Sequence, residues 1–120
     1  MTDGLIIFST CSSEDEAKRL AQVLVEEKLA GCVNVIRGIE SIYRWEDKVE
    51  SAAECLLVIK TEAGRFDALS ARLQDLHSYE VPEVVAFPIA RGAEKYLGWL
   101  KEQVRIEEGA KNRKPVDTRR

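Results

Sequence analysis

Two long runs of strand-forming residues, separated by a short polar turn, constrain the fold of this chain more than any other feature. The first run, Cys32–Trp45, is rich in β-branched and aromatic residues, and the second run, 49–61, contains the apolar stretch 55–59. Such residues suit the pleated surface of a sheet, and the polar turn 46–48 between the runs predicts one long β-hairpin. Gly38 interrupts the first run and predicts a bulge or bend there.

The N-terminal segment predicts a strand followed by a helix. Residues 5–9 form a short apolar run, and Ser13 with Glu16 makes the Ser-x-x-Glu pattern of a capping box, which opens a helix. Gly31 is expected to end that helix at the C′ position. The apolar residues with helical spacing between these points are Ala17, Leu20, Ala21 and Leu24.

The C-terminal half predicts a second helix, a fourth strand and a third helix. Residues 84–87 are expected to form a strand at a sheet edge, because Pro88 cannot donate a ladder hydrogen bond. The third helix is expected to place Trp99 over the core. The helical stripes are Phe66, Leu69, Leu73 and Leu76 for the second helix, and Tyr96, Leu97, Leu100 and Val104 for the third.

The resulting order, β-α-β-β-α-β with an extra C-terminal helix, predicts an α+β fold of the ferredoxin-like plan. In that plan two helices cover one face of an antiparallel sheet with strand order 4-1-3-2. With 120 residues, the chain is expected to form a single domain over 1–104, followed by a basic tail over 105–120.

The length of the hairpin points to a partner subunit. The thirteen residues from Val33 to Trp45 would span about 43 Å if fully extended, whereas a domain of this size has a diameter of only about 35 Å. The tip, with Tyr43 and Trp45, should therefore project, and pairing with a neighbour would cover its exposed edge and rings. The alternative is a bulged hairpin that folds back over its own subunit.

Composition narrows the function classes. A net charge of −3 and a sequence pI near 5.3 argue against nonspecific nucleic-acid binding, although the tail is basic. No apolar segment reaches the ~20 residues of a membrane span. Three cysteines without CxxC spacing do not make a disulfide framework, and a reducing cytoplasm is the expected compartment.

Several stretches of the chain closely resemble the CutA family. They are residues 27–34 (EKLAGCVN), 41–48 (SIYRWEDK), 56–61 (LLVIKT) and 76–83 (LHSYEVPE), together with Tyr96-Leu97 and Trp99-Leu100. The resemblance covers about residues 5–104. It implies a homotrimer built around the hairpins, an architecture like that of the PII signalling proteins, and an association with tolerance of copper and other divalent cations.

The resemblance also implies that copper binding by this chain is weak. Family members proposed to bind copper carry a cysteine at the end of the first strand and paired histidines before Pro-Tyr. Here those positions are matched by Ser9 and by Leu76 followed by His77, and Ser78 replaces the proline.

Candidate metal ligands are His77, Glu80 and Cys11. His77 is the only histidine in the chain, and an imidazole with a nearby carboxylate or thiolate is a common metal-binding combination. Cys11 precedes a predicted helix N-terminus, where the helix dipole would favour a thiolate. The alternatives are a structural histidine and a small residue in a turn.

Candidate ligand-cleft or subunit-interface residues are Tyr43, Arg44, Trp45 and Tyr79. The topology brings the end of the first strand, the end of the second helix and the hairpin turn to one end of the sheet. Any metal or small effector is therefore expected there, near a subunit boundary. The alternatives are a PII-like signalling or scaffold trimer without metal, and an enzyme using Cys11 and His77. Because no nucleophile with a neighbouring base is recognisable, the chain is not expected to be an enzyme.

Overall fold

The structure is a computed structural model that describes residues 2–106. It confirms the predicted α+β element order. The elements are β1 (Gly4–Cys11), α1 (Glu14–Glu26), β2 (Cys32–Trp45), β3 (Lys48–Glu62), α2 (Phe66–Leu76), β4 (Val85–Pro88) and α3 (Glu94–Val104), with one 3₁₀ turn at Ala63–Arg65. The basic tail expected at 105–120 lies outside the described residues, except for 105 and 106.

The four strands form one antiparallel sheet in the order β2-β3-β1-β4. This order is the predicted 4-1-3-2 arrangement, written from the opposite edge of the sheet. β4 is an edge strand, and its terminal Pro88 pairs with Leu5 of β1. A proline is tolerated at that position because the outer side of an edge strand has no ladder to complete.

The long hairpin of β2 and β3 is also as predicted. Trp45 pairs with Lys48, so that a two-residue turn of Glu46 and Asp47 joins the strands, and both turn residues have positive φ (49° and 66°). At Gly38, φ is +70° and the pairing register shifts between Ile36 and Ile39. This bulge bends β2 where the sequence indicated it. The described chain extends 49 Å along its longest axis.

The core lies between one face of the sheet and helices α1 and α2. Apolar residues from alternate strand positions meet the buried stripes of both helices, so that each element buries its own hydrophobic side. The fully buried members include Ile7, Leu57 and Ile59 of the sheet, Leu20 and Leu24 of α1, and Leu69 and Leu73 of α2.

The opposite face of the sheet is apolar and partly exposed. Phe8 of β1 and Phe87 of β4 lie in edge-to-face contact, with ring centroids 5.1 Å apart. Phe87 and its neighbour Val85 are both exposed. An exposed apolar sheet face of this kind is typical of a surface that another chain covers.

Two local predictions are corrected. Helix α1 ends at Glu26, and Lys28, with φ of 60°, takes the left-handed position expected of Gly31. Gly31 is required for space instead, since a Cβ there would lie 2.6 Å from Leu100 Cδ1. Trp99 is exposed and lies against Tyr96, with ring centroids 5.6 Å apart, whereas Leu100 and Val104 are the buried residues of α3.

Candidate ligand cleft and the buried network beneath it

A cleft of about 730 Å³ opens at the end of the subunit where the hairpin turns. Its walls come from β2, β3 and the loop after α2, with the end of β1 at its base. Three aromatic side chains and three carboxylates line it: Tyr43, Trp45, Tyr79, Glu54, Glu80 and Glu83. A cavity of this size with a few converging polar groups has the properties of a small-molecule site.

His77 lies beneath the cleft and is buried. Its Nε2 is 2.8 Å from the Thr10 carbonyl oxygen, which can only accept, so Nε2 carries the proton. Its Nδ1 accepts a hydrogen bond of 3.0 Å from the Tyr79 backbone N–H. The Nε2 bond thus joins the loop after α2 to the end of β1, and the Nδ1 bond closes a turn within that loop.

Glu16 is a buried carboxylate in the first turn of α1. It accepts hydrogen bonds from the Ser78 backbone N–H (2.8 Å) and hydroxyl (3.0 Å), and from the Ser12 hydroxyl (3.3 Å). Its Oε2 is also 3.8 Å from Nδ1 of His77. Burial alone would raise the pKa of Glu16, but the hydrogen bonds from Ser78 and Ser12 oppose this effect, and the pKa is held below its usual range. Glu16 therefore places a fixed negative charge behind the cleft wall.

Ser13 caps α1 as predicted, because its side chain accepts from the Glu16 N–H at 3.1 Å. The reciprocal half of the capping box is missing, since the Glu16 side chain turns towards Ser78 instead.

Cys11 is the last residue of β1 and is fully buried. Burial raises the pKa of the Cys11 thiol to about 11, and the nearby Glu16 carboxylate and Cys55 thiol add smaller effects in the same direction. Its Sγ–H donates to the Ser13 carbonyl oxygen at 3.6 Å. Desolvation therefore acts against the thiolate that a helix N-terminus would favour, and a reactive thiolate at Cys11 stays a prediction.

Tyr79 connects the buried network to the cleft. Its hydroxyl donates to Glu54 at 2.5 Å, and its ring lies against the His77 ring, with centroids 4.8 Å apart. Burial raises the pKa of Tyr79, and the hydrogen bond and charge of Glu54 raise it further, so the phenol stays protonated at neutral pH.

The structure brings the predicted candidates to one end of the fold, but in two layers. Tyr43, Trp45, Tyr79 and Glu80 line the cleft. Cys11 and His77 lie below it and do not contribute to its lining, and neither does Arg44. Ser9 of β1 is also buried, with a hydroxyl that has no hydrogen-bond partner among the described residues.

These residues do not fit a tightly held metal ion. Within residues 2–106, no three His, Cys, Asp or Glu side chains come together as potential metal ligands. The His77 nitrogens are both hydrogen-bonded, and the Cys11 thiol is protonated at neutral pH. Metal binding by His77, Glu80 and Cys11 stays a prediction, and binding there would first have to break the hydrogen bonds of His77.

The sequence interpretation missed Glu16, Glu54 and Ser78 as parts of the site. The sequence pattern assigns Glu16 only to the capping box with Ser13. Its position four residues before Leu20, on the buried face of α1, is a signal that could have identified it. Glu54 and Ser78 carry no comparable signal, since their roles depend on the approach of Tyr79 and Glu16.

Comparison with known proteins agrees with this structure. Residues 5–103 match the family described as CutA1 divalent ion tolerance protein. The divalent-cation tolerance protein CutA of Thermus thermophilus is 47% identical over 97 residues, which are 81% of this chain and 94% of that protein. The chloroplastic CutA protein of Arabidopsis thaliana is 46% identical over 102 residues, 85% of this chain. This chain covers only 56% of the length of the Arabidopsis protein.

A solved structure gives the same result. The crystal structure of CutA from Xylella fastidiosa superposes with a TM-score of 0.84 at 40% identity, covering 86% of this chain and 99% of that one. The sequence match over almost the whole described region, the shared fold and the level of identity agree, and the chain belongs to the CutA1 divalent ion tolerance family.

Proposed function

We propose that this chain forms a homotrimer that binds a small effector in clefts at its subunit boundaries, and that it acts in divalent-cation tolerance through this binding. The observation that carries the proposal is the cleft of about 730 Å³ at the hairpin tip, next to exposed apolar surface. Copper is the cation that the family resemblance associates with this role.

Two exposed surfaces support assembly. The open face of the sheet presents Val85 and Phe87, and the hairpin presents Ile42, Trp45 and Val49. A monomer that exposed both surfaces would be prone to association through sheet edges and apolar patches. A closed ring of three copies would cover them with one repeated contact.

A binding role is supported over catalysis by the buried network. A Cys11–His77 dyad would need a ring nitrogen facing the thiol, but both nitrogens are taken up by Thr10 and Tyr79. The Cys11 thiol is also protonated at neutral pH and fully buried. We therefore propose that the chain is not an enzyme.

The proposed compartment is the cytoplasm. All three cysteines are free, and Cys11 and Cys55 are buried as thiols. Free thiols are typical of proteins in reducing compartments. Among the described residues, no helix is both long enough and apolar enough to cross a membrane.

Native mass spectrometry of the full chain, with light scattering after gel filtration, tests the proposal. The expected mass is about three times the 13.5 kDa of one chain, with a bound small molecule or ion that a cleft-filling variant, Ser41→Trp, no longer retains. A monomer would contradict the assembly. A trimer without any ligand that Ser41→Trp displaces would contradict effector binding and favour the PII-like scaffold alternative.

A further inference from the structure

The chemistry of the cleft selects for positive charge. Glu54, Glu80 and Glu83 contribute three carboxylates, and among the described residues that line the cleft none is Lys, Arg or His. A recessed site lined by one sign of charge focuses its field and raises the local concentration of ions of opposite sign.

The buried layer strengthens this field. Glu16 is almost completely buried, and its oxygens are held by Ser78, which itself lines the cleft. The nearby imidazole does not neutralise Glu16, because its hydrogen-bond pattern is that of a neutral ring. A buried charge is screened by salt much less than an exposed one.

The aromatic walls favour an organic cation. Tyr43, Trp45 and Tyr79 all line this cleft, and aromatic rings attract ammonium groups together with their alkyl chains. A hard metal cation requires several oxygen ligands around one point, whereas no three carboxylates converge in that way within residues 2–106. A cleft of about 730 Å³ is also far larger than a single ion needs.

Three carboxylates that do not converge on one point, in a cleft that three aromatic side chains also line, match a flexible chain that carries separated charges. We infer that the cleft binds an aliphatic organic polycation with two or more ammonium groups spaced by methylene segments. This inference rests on the proposed function of the cleft as the effector site.

Calorimetric titration of the full-length protein with spermidine, at low and at moderate salt, tests the inference. Glu80→Gln and Glu83→Gln remove cleft charges without removing volume, and both side chains are exposed, so the fold should tolerate the changes. Each should weaken binding about twofold to fivefold, and the double variant by at least about fivefold. Glu94→Gln, an equal charge change on α3 outside the cleft, should leave the affinity unchanged.

Three results would overturn the inference: no spermidine binding, equal losses in Glu94→Gln and the cleft variants, or Mg²⁺ binding as tightly as spermidine. The Ser41→Trp variant distinguishes a failure of this inference from a failure of the proposed function. If the native protein retains a neutral or anionic molecule that Ser41→Trp displaces, the cleft is an effector site and only the polycation is wrong. If Ser41→Trp has no effect on any ligand, the cleft itself is not the site.

Discussion

The Tyr79 hydroxyl donates a 2.5 Å hydrogen bond to the Glu54 carboxylate, and this contact fastens the loop after α2 to strand β3. The backbone N–H of the same tyrosine donates to Nδ1 of His77. Tyr79 therefore bridges the buried network and the cleft, so that the wall of the cleft is held in place from both sides. Such pre-organisation reduces the entropy that a ligand must remove on binding.

Removal of this hydroxyl should destabilise the protein measurably. Tyr79→Phe keeps the ring but loses a hydrogen bond to a charged acceptor, and we expect the free energy of unfolding to fall by about 1–2 kcal/mol. Urea denaturation at a fixed subunit concentration measures this. Tyr43→Phe is the matched control, since the Tyr43 hydroxyl makes no hydrogen bond within residues 2–106. An equal loss in both variants would contradict a specific role for the Tyr79–Glu54 contact.

The Glu16 network predicts acid sensitivity. The folded-state pKa of Glu16 is held below its ordinary value of 4.5, because hydrogen bonds from Ser78 outweigh the opposing effect of burial. A depressed pKa means that its stabilisation is present above about pH 4.5 and is lost as the pH falls through the lower, folded-state value. Glu16→Gln should therefore unfold with a shallower pH dependence in acid than the wild type.

The same variant should be less stable at neutral pH by about 1–3 kcal/mol, because an amide replaces one acceptor oxygen opposite Ser78. Thermal unfolding between pH 3 and 7, at high salt, measures both the loss of stability at neutral pH and the pH dependence of stability in acid. Glu14→Gln is the control: Glu14 is a partly exposed neighbour in the same helical turn, paired with Lys18 and Arg37, and salt should remove most of its effect. Parallel pH profiles for wild type and Glu16→Gln would contradict the role assigned to the network.

The sequence predicted the fold well because local patterns and topology agreed. The hairpin, the bulge at Gly38 and the edge position of β4 follow from residue types that act within one element or one turn. The prediction for Gly31 was wrong because the need for glycine at this position comes from α3, far along the chain, where the Leu100 side chain would clash with a Cβ. Sequence spacing does not report such a contact.

The site was predicted less well for a similar reason. The topology placed Cys11, His77 and Tyr79 at one end of the sheet, where the structure also has them, but the ionisation of Cys11 and the hydrogen bonding of His77 depend on burial. Burial reverses the expected effect of the helix N-terminus on Cys11. The residue types therefore predicted a metal-binding chemistry that the buried hydrogen bonds do not favour.

The close approach of α3 to Gly31 leads to a third prediction. Gly31→Ala would place a Cβ 2.6 Å from Leu100 Cδ1, and the resulting overpacking should cost about 1–3 kcal/mol. Leu100→Ala in the same chain should relieve the clash, so that the two changes together cost less than the sum of their separate effects. Gly98→Ala, at an exposed helical position with no atom within 4 Å, should stabilise by up to about 1 kcal/mol. Additive costs for Gly31→Ala and Leu100→Ala would contradict a direct contact.

The two tryptophans provide a matched test of the proposed assembly. Trp45 is 45% exposed and Trp99 is 44% exposed in the isolated subunit, so that replacement of either by alanine removes a similar exposed aromatic area. Trp45 lies at the end of the hairpin that should reach a neighbouring subunit, whereas Trp99 lies on α3 beside Tyr96. Burial of a tryptophan at a subunit interface commonly contributes more than about 2 kcal/mol.

Trp45→Ala should therefore shift the trimer towards monomer at micromolar concentration, and Trp99→Ala should leave the mass unchanged. Sedimentation velocity across a dilution series measures both, and an equal shift for the two variants would show that the hairpin tip is not the anchor of the interface.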